Sequence, residues 1–210
     1  MHIDAIKKMS GRQLNNLAIL LGWMHSKLLV TDDFLTRFSS DDDWTFIIKL
    51  HAMIEAGLNH MLLKQFNNEE LSKVIARLET SNPKTGKLAF IKAFKILPEE
   101  YILFIRNLSE IRNFCVHDPK NFSYNLKEDV GSYEEKKKKQ WIKFVTFMVE
   151  PCIQLETHGL SLADAAVSNP RNAVFVTSIN IMFQALWHHG NRGKPPGESP
   201  PPSQPTPKKP

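Results

Sequence analysis

The chain has 210 residues, of which 42% are apolar and 23% are charged, an ordinary composition for one globular domain with additional segments. No stretch reaches the roughly 18 uninterrupted apolar residues of a membrane helix, and the first residues lack the layout of a signal peptide. The two cysteines, Cys115 and Cys152, form no motif, which favours a reducing, cytoplasmic location. The net charge of +5 is compatible with nucleic-acid binding but does not require it. We therefore expect a cytoplasmic protein with no membrane partner.

The predicted secondary structure is helical along the whole domain, because alternating β-branched runs are scarce and hairpin dipeptides are absent. Carboxylates at Asp41, Asp42 and Asp43 suit the N-terminus of a helix that extends to about Phe66. The segment 118–132 is predicted to be a loop. The other predicted helices cover residues 10–29, 68–79, 86–96, 98–117, 133–157 and 172–189. We predict an all-α bundle of about five to seven helices over residues 1–189.

The last segment, 190–210, differs in composition from the rest of the chain. It holds eight of the 13 prolines, which cannot continue a helix or a central strand. It also has little apolar surface to bury, so we expect a disordered, proline-rich tail.

The predicted helix at 98–117 carries one charge within its apolar face. On a helical wheel, Tyr101, Phe104, Ile105, Leu108, Ile111, Cys115 and Val116 form one arc. Arg112 lies near the middle of that arc. A charge in this position is costly unless it is paired or reaches a wet cleft.

The predicted helix that ends near Phe66 repeats this pattern with the opposite sign. Glu55 lies at the centre of its apolar arc, and His51 lies one turn earlier. We predict that the two helices face each other and that Glu55 forms a bidentate ion pair with Arg112. Two interpretations remain open: the pair is a structural contact that fixes helix register, or it belongs to a ligand site.

His117 occupies the last turn of the 98–117 helix, because Pro119 disfavours helical conformation at Asp118. Asn113 and His117 are four residues apart and share a face, whereas Arg112 and His117 are about 140° apart on an ideal wheel. A histidine at this place either caps the helix end or turns its ring toward a ligand.

The stretch "LSEIRNFCVHD" resembles the signature of the HEPN superfamily, in which an arginine and a following Asn, Asp or His precede a histidine by four to six residues. Here the matching residues are Arg112, Asn113 and His117, and Glu55 fits the acidic position on an earlier helix of that family's bundle. The preceding segment, "GKLAFIKAFKILPEEYILFIRNLSEIRN", is also similar to the mannitol-repressor-like group. The resemblance covers about residues 40–157.

The resemblance implies a metal-independent endoribonuclease that acts as a toxin or defence effector. It would work as a homodimer in which two motifs face each other, with RNA as substrate and an antitoxin or regulatory protein as partner. Arg112, His117 and Asn113 would be catalytic, Glu55 and His51 would support them, and no cofactor or metal would be needed. The alternative is a non-catalytic helical module that binds a protein or regulates transcription. The chain departs from one toxin pattern, because no tyrosine follows His117 at close range and Tyr124 stands seven residues on, so we do not expect the tyrosine modification of that pattern here.

Two further segments favour ordinary structural explanations. "NPKTGKL" (82–88) lacks the spacing of a phosphate-binding loop and is predicted to be a loop and helix start. In "YEEKKKKQW" (133–141), the i,i+4 spacing predicts pairs of Glu134 with Lys138 and Glu135 with Lys139 on a solvated helix. A basic patch for RNA is the other interpretation of this run.

Overall fold

The structure is a computed structural model that describes residue 38, residues 40–147 and residues 162–190. Within these residues it contains helices and no strand, which confirms the predicted all-α class. Two short 3-10 helices cover Glu69–Leu71 and Pro119–Ser123. The α-helices of the described part are α1 (Asp43–Phe66), α2 (Ser72–Arg77), α3 (Lys87–Ala93), α4 (Glu99–His117), α5 (Leu126–Gly131), α6 (Glu135–Thr146), α7 (Leu162–Ser168) and α8 (Pro170–Gly190). The predicted helix at 10–29, the end of the one at 133–157 and residues 191–210 lie outside the described residues.

Helix α1 is the centre of the bundle. It begins after Asp42, whose carboxylate accepts a hydrogen bond from the Thr45 amide at 2.8 Å, as an N-cap does. It ends at Asn67, which adopts a left-handed conformation with φ of 50°. The helix buries side chains on more than one face, because α4 and α8 both pack against it. Its buried apolar residues include Phe46, Ile47, Leu50, Met53, Ile54, Leu58, Met61 and Leu62.

Helices α1 and α8 run in the same direction and meet at their first turns. Arg171 donates to the Asp43 carboxylate at 2.8 Å and to the Asp41 carbonyl at 2.7 Å. Further along, Met182 of α8 passes so close to Gly57 that a β-carbon there would be 2.5 Å from its thioether. The glycine therefore leaves the space that the end of the Met182 side chain fills.

Helices α1 and α4 are antiparallel. The Trp44 indole, in the first turn of α1, donates to the Cys115 carbonyl near the end of α4 at 2.8 Å. The His51 ring, two turns further along α1, lies 2.9 Å from the Ser109 hydroxyl. These two contacts fix the register of the helix pair.

The segment 118–132 is not the loop that we predicted. The Asp118 carboxylate accepts from the Lys120 amide at 2.9 Å, and the Asn125 side chain accepts from two amides at 3.0 Å, so each caps a short helix. The Leu126 amide donates to Asp43 at 2.8 Å, which holds α5 against the start of α1. Side-chain caps within the segment and a carboxylate distant in sequence therefore stabilise helices that apolar periodicity does not reveal.

Helix α6 covers the first half of α4 and is solvated on its lysine side. Phe144 stacks on Phe104, with ring centroids 4.7 Å apart, and the Trp141 indole donates to the Ala166 carbonyl of α7 at 3.0 Å. The predicted i,i+4 ion pairs on this helix are wrong by one residue. In the described part of the chain, Glu135 pairs with Lys138 at 3.9 Å rather than with Lys139.

The loop before α3 folds tightly around Gly86. The Gly86 amide donates to the Asn82 carbonyl at 3.0 Å, and the Lys87 amide donates to the Glu79 carbonyl at 2.9 Å. A β-carbon on Gly86 would lie 2.6 Å from both of these carbonyl oxygens. Only glycine therefore fits where the loop turns, and this turn delivers Lys87 to the interior.

Replacing Gly86 with alanine should lower the free energy of unfolding by about 1–3 kcal/mol, because backbone atoms must move to admit the methyl group. The measurement is urea denaturation. Gly131→Ala is the matched control, since nothing lies within 4 Å of a β-carbon at that position. A Gly86→Ala variant as stable as the control would contradict the tight turn.

Candidate functional site

The end of α4 is built to hold a fixed conformation. His117 is the last residue of the helix, Asp118 is extended with φ of −132° and ψ of 124°, and Pro119 opens a 3-10 helix. The last carbonyls of a helix lack intrahelical partners. Two of them are satisfied here by side chains: Trp44 donates to the Cys115 carbonyl, and Asn121 donates to the Phe114 carbonyl at 2.7 Å. The backbone that carries His117 is thus tied to α1 and to the 3-10 turn.

The three motif residues differ in their exposure. His117 is exposed, whereas Arg112 and Asn113 are half-buried. Arg112 and His117 make no hydrogen bond to each other, and neither forms an ion pair with a residue of the described part. The structure thus places Arg112 on the side of α4 that faces α1, and His117 at its solvent-exposed end.

The predicted ion pair between Glu55 and Arg112 is wrong. Glu55 pairs instead with the Lys87 ammonium of α3. The register of α1 and α4 explains the difference: Trp44 meets Cys115 and His51 meets Ser109, so Arg112 lies level with about Ile48. Seven residues separate Ile48 from Glu55, which is about 10 Å along the helix axis. The helical wheel identified the facing surfaces correctly but carries no information about this offset.

Lys87 is the most deeply buried charge near the site. Its side chain has 0% exposure, whereas the Glu55 side chain retains 30%. Burial alone would raise the pKa of Glu55, but the hydrogen bond and the charge of Lys87 outweigh burial and hold that pKa below its ordinary value. Glu55 therefore compensates Lys87 and is not available to Arg112.

His51 is a buried, neutral hydrogen-bond donor. The Ser109 hydroxyl donates its single proton to the Ile105 carbonyl at 2.9 Å, so it can only accept from the His51 Nε2 at 2.9 Å. Burial, together with the positive charges of Arg112 and Lys87, lowers the pKa of His51 to about 4 against the opposing effect of Glu55. His51 therefore carries its proton on Nε2 at neutral pH and cannot exchange protons with a ligand there.

Among the described residues, Arg112 has no carboxylate partner. Within the described residues, the charges that act on His51 are the cations Arg112 and Lys87 and the carboxylate Glu55. Glu55 is engaged with Lys87, and His51 is neutral. A half-buried guanidinium without a carboxylate partner can bind an anion through several N–H groups at once. The described residues therefore offer one cation for a phosphate and one exposed imidazole on the same helix.

Two neighbouring side chains with potentially reactive groups are unsuitable for nucleophilic chemistry. Cys115 is fully buried, as predicted from its place on the apolar face, and burial raises the pKa of its thiol to about 11. Tyr124 is half-buried and donates to the Asp129 carboxylate at 2.9 Å, and burial together with that carboxylate raises the pKa of its phenol well above the ordinary value. His117 thus remains the accessible group for proton transfer in this region.

No group of three or more His, Cys, Asp or Glu side chains in the described part is arranged to hold a metal ion. None of the described helices is long and apolar enough to cross a membrane.

A comparison of the chain with family models, curated proteins and solved structures finds no match.

Replacing Glu55 with glutamine should lower the free energy of unfolding by about 3 kcal/mol, because it strands the buried Lys87 ammonium. Lys87→Met should lower the free energy of unfolding by less, because the half-buried Glu55 can turn to water and methionine fills the space of the lysine stem. The double variant should therefore be more stable than Glu55→Gln alone. Urea denaturation of the three variants measures this coupling.

Glu99→Gln is the matched control, because it removes an ion pair with Lys92 in which both side chains are about 60% exposed. Its loss of stability should be small. A Glu55→Gln variant that behaves like this control would show that water already compensates Lys87.

The depressed pKa of His51 predicts a stability change in acid. The folded value of about 4 lies below the ordinary 6.5, so between these pH values the unfolded chain binds a proton that the folded protein does not. Stability should therefore fall as the pH falls through this window. Between about pH 7 and pH 5, the free energy of unfolding of wild type should fall by about 2 kcal/mol more than that of His51→Gln, whose side chain does not titrate. Equal losses in urea denaturation would show that His51 titrates normally in the folded protein.

Proposed function

We propose that this chain is a metal-independent endoribonuclease of the HEPN type that acts as a toxin or defence effector in the cytoplasm. The observation that carries the proposal is the half-buried Arg112, which lacks a carboxylate partner in the described part, on the same helix as the exposed His117. A cation for the phosphate and an accessible acid–base group are what cleavage beside a ribose 2′-hydroxyl requires.

In the proposed reaction, Arg112 binds the scissile phosphate and stabilises the charge that develops on its oxygens. His117 accepts the proton of the 2′-hydroxyl, or protonates the departing 5′-oxygen. Asn113 lies four residues before His117 on the same face of α4 and is half-buried. In the proposed reaction its amide orients the phosphate or the imidazole.

The proposed enzyme is a homodimer, because one protomer supplies too few imidazoles. Cleavage needs a base and an acid on opposite sides of the phosphate. The buried His51 cannot be the second group, since its proton is held against Ser109 and its pKa is about 4. A two-fold axis near His117 would supply a second imidazole and a second Arg112. An antitoxin would then be a protein that covers this shared cleft.

A non-catalytic module that binds a protein or regulates transcription is the second candidate. The observation that favours it is the absence, among the described residues, of a hydrogen-bond partner that orients the His117 ring. Catalytic imidazoles are usually held by such a partner. In this case the end of α4 would serve as a recognition surface.

The proposal is tested by RNA cleavage with EDTA present, comparing wild type with His117→Ala and Arg112→Ala. Both replacements should lower the cleavage rate, and His117→Ala should lose roughly two to four orders of magnitude, because it removes the proton-transfer group. Size-exclusion chromatography with light scattering should show that both variants remain dimers.

Arg106→Ala is the matched control, since Arg106 is a half-buried arginine of the same helix outside the motif, and this variant should cleave at the wild-type rate. If the wild-type protein cleaves no RNA, or if His117→Ala is as active as wild type, the nuclease proposal is wrong. The non-catalytic module would then account for the motif.

A further inference from the structure

Two phenylalanines at the end of α4 are exposed although each packs against another aromatic ring. Phe114 is 54% exposed and Phe122 is 60% exposed. Phe122 contacts Trp44 with ring centroids 5.4 Å apart and an interplanar angle of 74°. Phe114 contacts Tyr124 with centroids 5.8 Å apart and an angle of 67°. Because the rings of each pair are steeply inclined, each pair forms an angled notch rather than a flat surface. We call these four rings the aromatic patch.

Hydrogen bonds to the last turn of α4 hold the aromatic patch in place. The Trp44 indole donates to the Cys115 carbonyl at 2.8 Å. The Asn121 side chain donates to the Phe114 carbonyl at 2.7 Å, which ties the turn that carries Phe122 to the end of the helix. Fixed, exposed aromatic rings of this kind are the surface on which proline-rich segments dock in a polyproline II conformation.

The charges around the aromatic patch favour a basic ligand. Three consecutive carboxylates, Asp41–Asp43, directly precede Trp44. The first and the third form ion pairs within the bundle, whereas Asp42 is exposed and has no ion pair among the described residues. At the other aromatic pair, Tyr124 donates to the Asp129 carboxylate at 2.9 Å. Each pair of rings therefore has a carboxylate beside it.

The exposed lysines near the aromatic patch are offset by neighbouring carboxylates. Lys120 lies two residues from Asp118, and Lys127 is followed directly by Glu128; all four side chains are exposed. The carboxylate beside Trp44 thus remains available to a cation of the ligand.

The C-terminal segment of the chain can reach the aromatic patch. Arg171, in the first turn of α8, donates to Asp43, so α8 begins beside the patch. The helix has 21 residues and ends at Gly190, about 30 Å away. A polyproline II chain rises about 3.1 Å per residue, so about ten residues return over that distance. Counted from Gly190, they bring the stretch "PPPSQPTP" (200–207) to the patch.

This stretch also has the composition that the aromatic patch requires. Pro202 and Pro205 are three residues apart, which places them on one face of a polyproline II helix with three residues per turn. Lys208 and Lys209 follow the stretch directly and supply the positive charge that suits Asp42. The conformation has no internal hydrogen bonds, so it agrees with the expectation that this segment forms neither helix nor strand.

We propose that residues 200–209 dock on the aromatic patch of their own chain in a polyproline II conformation, with prolines in the notches and a lysine beside Asp42. This docking goes beyond the proposed nuclease function and does not depend on it. A linker of about ten residues gives an effective concentration on the order of 1 mM. An intrinsic Kd below about 1 mM is therefore sufficient for the segment to occupy its own patch.

The test measures binding of a fluorescent peptide, residues 198–210, to full-length chains by fluorescence anisotropy. A tail variant that carries Pro202→Ser and Pro205→Ser should leave the patch open, whereas the wild-type segment competes with the peptide. The tail variant should therefore bind the peptide more tightly than wild type, by about tenfold if the intrinsic Kd is about 0.1 mM.

Further replacements in the tail variant locate the binding surface. Phe122→Ala and Phe114→Ala should each weaken peptide binding about tenfold, because each removes an aromatic contact. Asp42→Asn keeps the helix cap but removes the charge, and should weaken binding roughly 1.5- to 5-fold. Phe94→Ala is the control, since Phe94 is 40% exposed and packs on Phe66 at the far end of α1.

Several results would overturn the proposal. If the tail variant does not bind the peptide, or binds it no better than wild type does, the segment does not occupy its own patch. If both alanine variants bind as tightly as the Phe94→Ala control, the segment docks elsewhere. If a peptide of residues 10–29 binds the patch and the 198–210 peptide does not, the predicted N-terminal helix is the occupant. If Phe122→Ala changes the mass measured by light scattering but not peptide binding, the patch is an interface between two copies.

Discussion

The antiparallel register of α1 and α4 is the constraint on which the candidate site depends. The indole of Trp44 bonds to the Cys115 carbonyl, and the ring of His51 bonds to the Ser109 hydroxyl. Both contacts join buried or half-buried polar groups, which are costly to leave without partners. A shift of one helical turn would break both bonds and leave the Cys115 carbonyl at the end of α4 without its partner. It would also move His51 away from Arg112. The register is therefore specified by polar groups, while the apolar residues around them provide most of the favourable burial.

This register keeps the Glu55 carboxylate away from the Arg112 guanidinium. Glu55 lies too far along α1 to meet Arg112 and pairs with Lys87, which the Gly86 turn delivers to the interior. His51 lies between these groups and stays neutral because it is buried beside two cations. The positive charge of Arg112 thus remains uncompensated among the described residues. In the proposed reaction, a bound anion would compensate this charge, which is the physical basis for the proposed phosphate contact.

The sequence predicted the helices well and their mutual arrangement poorly. Apolar periodicity found α1, α4 and α8 and placed Cys115 in the core, because these helices are long enough to bury a continuous face. Periodicity repeats every turn, so it could not choose between Lys87 and Arg112 as the partner of Glu55. We did not predict that Lys87 is buried, because α3 has only seven residues and is too short to show apolar periodicity. The only sequence signal was a glycine directly before a lysine at the start of a helix. The short helices in 118–132 depend on caps and on Asp43, contacts that no local pattern encodes.

The most direct test of this register is the protonation state and environment of the His51 ring, observed by ¹⁵N-edited NMR of the full chain at neutral pH. We predict a ring that is protonated on Nε2, unprotonated on Nδ1 and close in space to the Ser109 β-protons, with no change down to about pH 5. A ring protonated on Nδ1, or one without contacts to Ser109, would contradict the α1–α4 register and with it the separation of Arg112 from Glu55.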